Sequence, residues 1–443
     1  MKGNICWSKN PHSLGTGKYL VCAGGKSGGV FEKLPQEYAG FQLIDYSGCL
    51  IIPGLTDLHT HAPQFAFRGL GMDLELLDWL DNRAFPEEAK YRDIEYARCA
   101  YGLFVDALKQ GPNTRSIIFA TVHSPATLLL MDMLEETGLV CLAGKVNMDR
   151  NCPDYLREAG AQASLEETRE WLSACLPGKK FRSQGQAVRK NVYPILTPRF
   201  IPSCSDELMR GLACIQREFG LPLQSHLSEN SGEVQWVREL CPESDGYASA
   251  YVDYDLFGSS AVVMAHCVWS DKREIELLAE HNVFIAHCPQ SNTNLSSGIA
   301  PVRRFLDAGC AVGLGTDLAG GAHNSIFRAM SDAIQVSKLR GALSDKNEKA
   351  LEEKALELEE AFYLGTAGGG AFFAKAAQNG FMEAGASGSF DSGYDFDALV
   401  IDDSSLATPL QLSIRERLER VVYLSDDRHI KAKYVRGKEV VKR

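Results

Sequence analysis

From Pro53 onward the sequence repeats one pattern, and that pattern limits the fold more than any single motif does. Short apolar runs alternate with longer amphipathic stretches of helical period. The runs are PGLTDLHTH (53–61), SIIFATVH (116–123), VCLAGKVNM (140–148), VYPILTPRF (192–200), LPLQSHLSEN (221–230), AVVMAHCV (261–268), VFIAHCPQSN (283–292) and CAVGLGTD (310–317). Between them lie segments such as SDELMRGLACIQREFG (205–220) and SDKREIELLAEHN (270–282). Eight strand-like runs separated by helices are the count of an α/β fold of the (β/α)8 TIM-barrel type.

Both flanks break the pattern. Before Pro53 the chain reads KYLVCAGG, GGVFEKL and FQLIDYSGCLIIPG; after about residue 380 it reads GSFDSGYDFDALVIDD, RVVYLSD and HIKAKYVRGKEVVKR. Short apolar runs bounded by turn residues predict strands. Neither flank alone offers many of them, so the expectation is one small β-domain built from 1–53 plus 380–443, beside a catalytic barrel over 54–379. The stretch DKNEKALEEKALELEEAFYLGT (345–366) is rich in helix formers, and its charges read as a solvated helix face.

Composition narrows the partners. Forty-six Lys and Arg against 57 Asp and Glu leave a formal charge of −11. An acidic surface has no electrostatic reason to seek nucleic acid or an anionic membrane, which favours a small-molecule partner. The 13 cysteines are scattered, with no CxxC pair, and no stretch approaches about 20 consecutive apolar residues. Buried thiols in a reducing compartment are expected, hence a cytoplasmic protein.

The chemistry is read at strand ends, because barrel active sites form where the C-terminal ends of the strands converge. In PGLTDLHTH, His59 and His61 stand at i and i+2 and point to one side of a strand. The fifth run ends in His226, with Glu229 three residues on; the sixth ends in His266 and the eighth in Asp317. Three imidazoles and a carboxylate suit a zinc ion with one position left for water. Motifs of other hydrolases are missing: there is no HExxH, no HxE with PCxxC, and no P-loop.

Taken together, these ends resemble the amidohydrolase superfamily over the whole chain. More narrowly, HAPQ, FPEE, LTPRF, SHLSEN, MAHC, IAHCPQSN and GLGTDLAGG resemble the guanine deaminase family. The resemblance implies one Zn2+ per chain held by His59, His61, His226 and Asp317, with His266 orienting the attacking oxygen and Glu229 shuttling protons. It also implies a homodimer, and hydrolysis of guanine to xanthine and ammonia. The neighbouring alternative is a deaminase or chlorohydrolase acting on another aminopurine, a pterin or a triazine. A non-catalytic scaffold on the same barrel is the different-class alternative, and it would not need the ligand set.

For a flat, polar heterocycle, three residues are candidates for substrate binding. Gln64 can donate and accept along a purine edge, the planar fork of Arg199 suits the O6/N7 edge, and Phe200 can stack on the ring. Trp79 and Phe85 are weaker candidates for a pocket wall. His287 ends the seventh run and either touches the pocket or packs. His123, ending the second run, reads as structural. Lys145, ending the third, is where some superfamily members carry a carboxylated lysine between two metals; the present resemblance gives it no such role. His12, His281, His323 and His429 have no claim.

Overall fold

Eight strands carry the central unit: β1 (Leu55–His61), β2 (Asn113–Phe119), β3 (Val140–Gly144), β4 (Val192–Pro194), β5 (Leu223–Leu227), β6 (Val262–His266), β7 (Phe284–His287) and β8 (Ala311–Leu314). They come from a computed structural model that describes residues 1–176, 189–258, 260–343, 354–378 and 380–443. Every residue of β1, β2 and β3 is buried. Burial of both faces is the mark of parallel strands covered by helices, and it explains why these runs read as continuous apolar stretches rather than alternating ones.

β1 to β4 form one parallel sheet and β5 to β8 another. Hydrogen bonds tie the edges of the two sheets at two places, in the arrangement of a (β/α)8 fold. At the first, Leu196 N–H donates to Pro222 O at 3.0 Å and Gln224 N–H to Leu196 O at 2.9 Å. At the second, Asp317 N–H donates to His59 O at 2.8 Å. There the Asp57 carboxylate also accepts from Thr316 N–H at 3.0 Å and from the Thr316 hydroxyl at 2.6 Å. A side chain thus takes over where a regular ladder is absent.

The fourth run is not one strand. Pro194 and Pro198 have no N–H to give a ladder, so the run splits into β4 and Thr197–Pro198, which pairs with Val146–Asn147. The intervening helices follow their sequence signals. Asp206–Phe219 is capped by the Ser205 side chain and stops at Gly220, whose φ of 65° suits a residue without Cβ. Lys272–Glu280 is capped by Asp271.

The two flanks meet in a seven-stranded sheet, in the order Lys438–Lys442, Ile430–Val435, Ala398–Ile401, Asp45–Pro53, Lys2–Asn10, Ser13–Ala23, Lys26–Phe31. Ala398–Ile401 lies antiparallel to Asp45–Pro53, with Leu399 opposite Ile52. One strand expectation fails: RVVYLSD belongs mostly to the helix Ile414–Leu424. Ser413 and Glu416 form a capping box that starts this helix upstream, and Leu418, Val421 and Val422 make its buried stripe. Of the helix expected over 345–366, the portion 345–353 lies outside the described residues, and Leu358–Tyr363 is helical.

Candidate active site

The strand ends converge as their positions require. β1 ends on His61, and the alternation that buries Leu58 outside the site turns His59 and His61 inward together. His59 Nε2 lies 3.1 Å from Asp317 Oδ1, and His61 Nε2 lies 3.5 Å from the same oxygen. His61 Nε2 and His226 Nε2 are 3.2 Å apart. His266 Nε2 lies 3.4 Å from Glu229 Oε2 and 3.8 Å from Asp317 Oδ2. The structure therefore brings His59, His61, His226, Glu229, His266 and Asp317 to one point, all but His226 at 5% exposure or less and His226 at 9%.

Two residues reach that point through backbone few side chains adopt. His266 has φ of 75° and Asp317 has φ of 46°. Left-handed φ at a non-glycine residue costs of order 1 kcal/mol and persists where the surroundings over-determine it. Here it bends the chain at the strand end and aims both side chains into the barrel mouth.

The donor set fits a divalent metal. Zinc ligands in a tetrahedron stand about 3.3 Å from one another, close to the 3.1 Å of His59–Asp317, the 3.5 Å of His61–Asp317 and the 3.2 Å of His61–His226. His59 Nε2 is buried and, though 3.1 Å from Asp317 Oδ1, does not meet it in hydrogen-bond geometry. His226 Nδ1 donates to the Arg199 carbonyl at 2.6 Å, which fixes its proton there and leaves the Nε2 lone pair facing inward. Burial holds His59 below its ordinary value and His61 and His226 well below theirs, so the rings are neutral ligands at pH 7.

The short helix Pro289–Asn294 after β7 and the turn that follows it hold the remaining groups, to which the sequence reading gave no roles. Asn292 Oδ1 accepts from His266 Nδ1 at 2.8 Å, and the Ser297 hydroxyl donates to Glu229 Oε1 at 3.2 Å. The Ser291 hydroxyl donates to Asp317 Oδ2. Burial, reinforced by the Asp317 charge, pushes the Glu229 carboxyl well above the usual range, which favours its protonated form. Glu233 accepts from the Glu229 N–H at 3.0 Å, and burial lifts it to about 7.

Beside this cluster opens a cavity lined by Gln64, Arg199, Phe200, Leu76, Trp79 and Leu80. Gln64 is buried, not solvated, at 1% exposure. Arg199 is both a wall residue and an ion-pair partner, with Nη1 2.7 Å from Glu88 Oε2. Phe85 packs under its guanidinium, 5.0 Å from the ring centre. Other candidates stand apart. His287 is buried, is not part of this wall, and burial takes it down to about 3. Lys145 is sealed in an ion pair with Glu158. The second strand stops at Phe119, so His123 begins the next helix rather than ending a strand.

Comparison with known proteins gives this geometry its class. A profile of the amidohydrolase family matches residues 50–440, and the chain belongs to that family. Within it the chain stands with the guanine deaminases. It is 36% identical over 402 residues to the guanine deaminase of Dictyostelium discoideum, covering 90% of this chain and 84% of the relative. The crystal structure of guanine deaminase from C. acetobutylicum, with guanine bound in its active site, matches with a TM-score of 0.89 and 43% identity over 99% of both chains. The zinc-bound atrazine chlorohydrolase of Arthrobacter aurescens shares the fold, at a TM-score of 0.78 and 18% identity over 99% of this chain and 95% of that one.

Proposed function

We infer that this protein hydrolyses guanine to xanthine and ammonia, through a single zinc ion per chain held by His59, His61, His226 and Asp317. The observation that carries the reading is the placing of two guanine-edge donors, Gln64 and Arg199, in the wall of the cavity that ends at the histidine cluster. Bound there, zinc would supply a water molecule acidified enough to lose a proton near neutral pH.

The chain's own residues do the rest. Gln64 and Arg199 hold the O6/N7 side of the base, Phe200 flanks its plane, and C2 with its amino group is left facing the cluster. Glu229 carries a proton to ring N3, which makes C2 a better electrophile. His266, its Nδ1 proton held by Asn292, presents Nε2 to the oxygen arriving at C2. Asp317 takes a proton from the attacking water and passes it to the departing amino group. One water is consumed: its oxygen stays on C2, one of its protons leaves with the amino group as ammonia, and the other returns to Glu229 as the C2 hydroxyl becomes a carbonyl.

The test is turnover of guanine against a panel of aminopurines, pterins and triazines, before and after chelation. Guanine left untouched while another compound reacts would overturn the substrate; full turnover after complete metal removal would overturn the zinc. Glu229→Gln with unimpaired turnover would remove the proton shuttle. A homodimer in the cytoplasm, and the division into 1–53 plus 380–443 and 54–379, belong to the same reading. Light scattering and limited proteolysis test the dimer and the division. Among the described residues no helix is long and apolar enough to cross a membrane.

A further inference from the structure

Gln64 and Arg199 share one anchor, a residue that does not itself line the cavity. Glu88 sits at 1% exposure in the short helix Phe85–Ala89. Its Oε1 accepts from Gln64 Nε2 at 2.8 Å and from Arg199 Nη2 at 3.2 Å, while Oε2 accepts from Arg199 Nη1 at 2.7 Å. At the other end of the Gln64 amide, Oε1 accepts from the Ala319 N–H at 3.0 Å.

These contacts leave Gln64 only one orientation. A backbone N–H can only donate, and a carboxylate paired with a guanidinium can only accept. Flipping the amide would set its oxygen against Glu88 and its NH2 against Ala319 N–H, losing both bonds in a buried site. That bond takes one of the two lone pairs of the amide oxygen. Apart from the other, what Gln64 and Arg199 have left to offer the cavity are the second Nε2–H of Gln64 and the unused N–H groups of Arg199, all donors.

We propose that Glu88 is a positioning residue that makes this edge of the cavity donor-rich and so sets its selectivity for 6-oxopurines over 6-aminopurines. The inference rests on the guanine reading and adds the residue that enforces it. A purine with O6 and N7 acceptors satisfies the edge. A 6-amino group brings a donor to donors and leaves buried groups unpaired, and a site built to hydrogen-bond its ligand rejects such a mismatch strongly.

Hypoxanthine and adenine test this, because they differ at position 6 and lack the 2-amino group that reacts. Each is used as a competitive inhibitor of guanine turnover by the zinc-loaded protein. In Glu88→Gln the new NH2 meets a donor of Gln64 or Arg199. The expected result is hypoxanthine inhibition weakened about tenfold to a hundredfold, adenine inhibition changed less than about threefold, and KM for guanine rising more than kcat falls. Glu88→Asp keeps the charge beside Arg199 but draws the acceptor back from Gln64. It is expected to shift the same ratio in the same direction by a smaller factor, and it carries the test should Glu88→Gln fail to fold. Equal weakening of both inhibitors, or a loss confined to kcat, would overturn the role of Glu88 while the guanine reading stands. A wild-type protein that turns over guanine yet binds hypoxanthine and adenine equally would overturn the donor-rich edge itself. No guanine turnover at all would overturn both.

Discussion

The barrel buries charged and polar groups at both ends and treats them in opposite ways. At the N-terminal end, Arg115 is wholly buried near the start of β2. Its Nε donates to Asp397 at 2.6 Å, Nη2 to Asp395 at 2.8 Å and Nη1 to Gly385 O at 2.7 Å. Lys433, equally buried, donates to the carbonyls of Asn113 at 3.0 Å and Leu108 at 3.3 Å. Each group is paired within the protein, and the pairs join the barrel to the seven-stranded sheet. At the C-terminal end, His59, His61, His226 and Asp317 face a common point rather than dedicated partners. Depth of burial does not separate the two clusters. What separates them is whether the polar atoms are used up, and only the unspent set can take a ligand.

That contrast can be broken by mutation, most severely at the C-terminal end. His61→Ala is expected to lower guanine turnover by more than about a thousandfold, since a zinc ligand is lost. Thermal unfolding without metal should move little or upward, because an unspent buried polar group goes with it. Turnover and melting measured on one sample check this, and a variant keeping a tenth of its activity would contradict it.

Arg115→Met should show the reverse. Removing the cation leaves Asp395 and Asp397 buried without their partner, at a cost of about 3–5 kcal/mol. Turnover per folded molecule should stay unchanged. Denaturant unfolding alongside active-site titration separates the two, and a kcat loss without destabilisation would erase the distinction between the ends.

Lys433 gives the comparison a pH axis. Burial takes its pKa down to about 7, with Asp427 opposing the shift. Between about pH 7 and the ordinary lysine range the unfolded chain therefore holds a proton that the folded chain lacks. Stability should rise with pH across that window, by of order 1 kcal/mol per unit. Lys433→Met should flatten this rise, and an unchanged slope in chemical unfolding from pH 7 to 10 would refute the assignment.

The smallest expected effect is at Asn292. Asn292→Ala frees the His266 ring to turn, and loss of such an outer partner costs about 10- to 100-fold in kcat. Asn292→Asp, which retains an acceptor for His266 Nδ1, should recover part of it. No recovery would point to packing rather than orientation.

Much of this was legible in the sequence because it is local or periodic. The alternation of apolar runs and amphipathic helices marks the barrel, and two histidines at i and i+2 of a strand must share a side. Strand-end position found His226, His266 and Asp317 for the same reason. It also brought forward His287, which meets the same rule yet lies off the cavity wall, because position along a strand does not fix depth in the barrel. Glu88 stands inside FPEE and Ser291 and Asn292 inside IAHCPQSN, yet that reading gave them no role, and Ser297 lay outside every quoted motif. Their work is done across space, over 24 residues to Gln64 and 111 to Arg199 in the case of Glu88. No spacing encodes such contacts. RVVYLSD was misread because its apolar run hides the helical period that appears only when Ile414 to Leu418 are included.

The order of strands in the seven-stranded sheet has a consequence for synthesis. Asp45–Pro53 carries Leu50, Ile51 and Ile52, all wholly buried against neighbours that include Ala398–Ile401. On a ribosome adding about 5–20 residues per second, that neighbour is made about 350 residues later, so the strand waits on the order of half a minute with one edge unpaired. The nascent chain must carry an exposed apolar edge through the making of the entire barrel, and a protecting chaperone, or slow sampling of the barrel core, has its natural place in that interval.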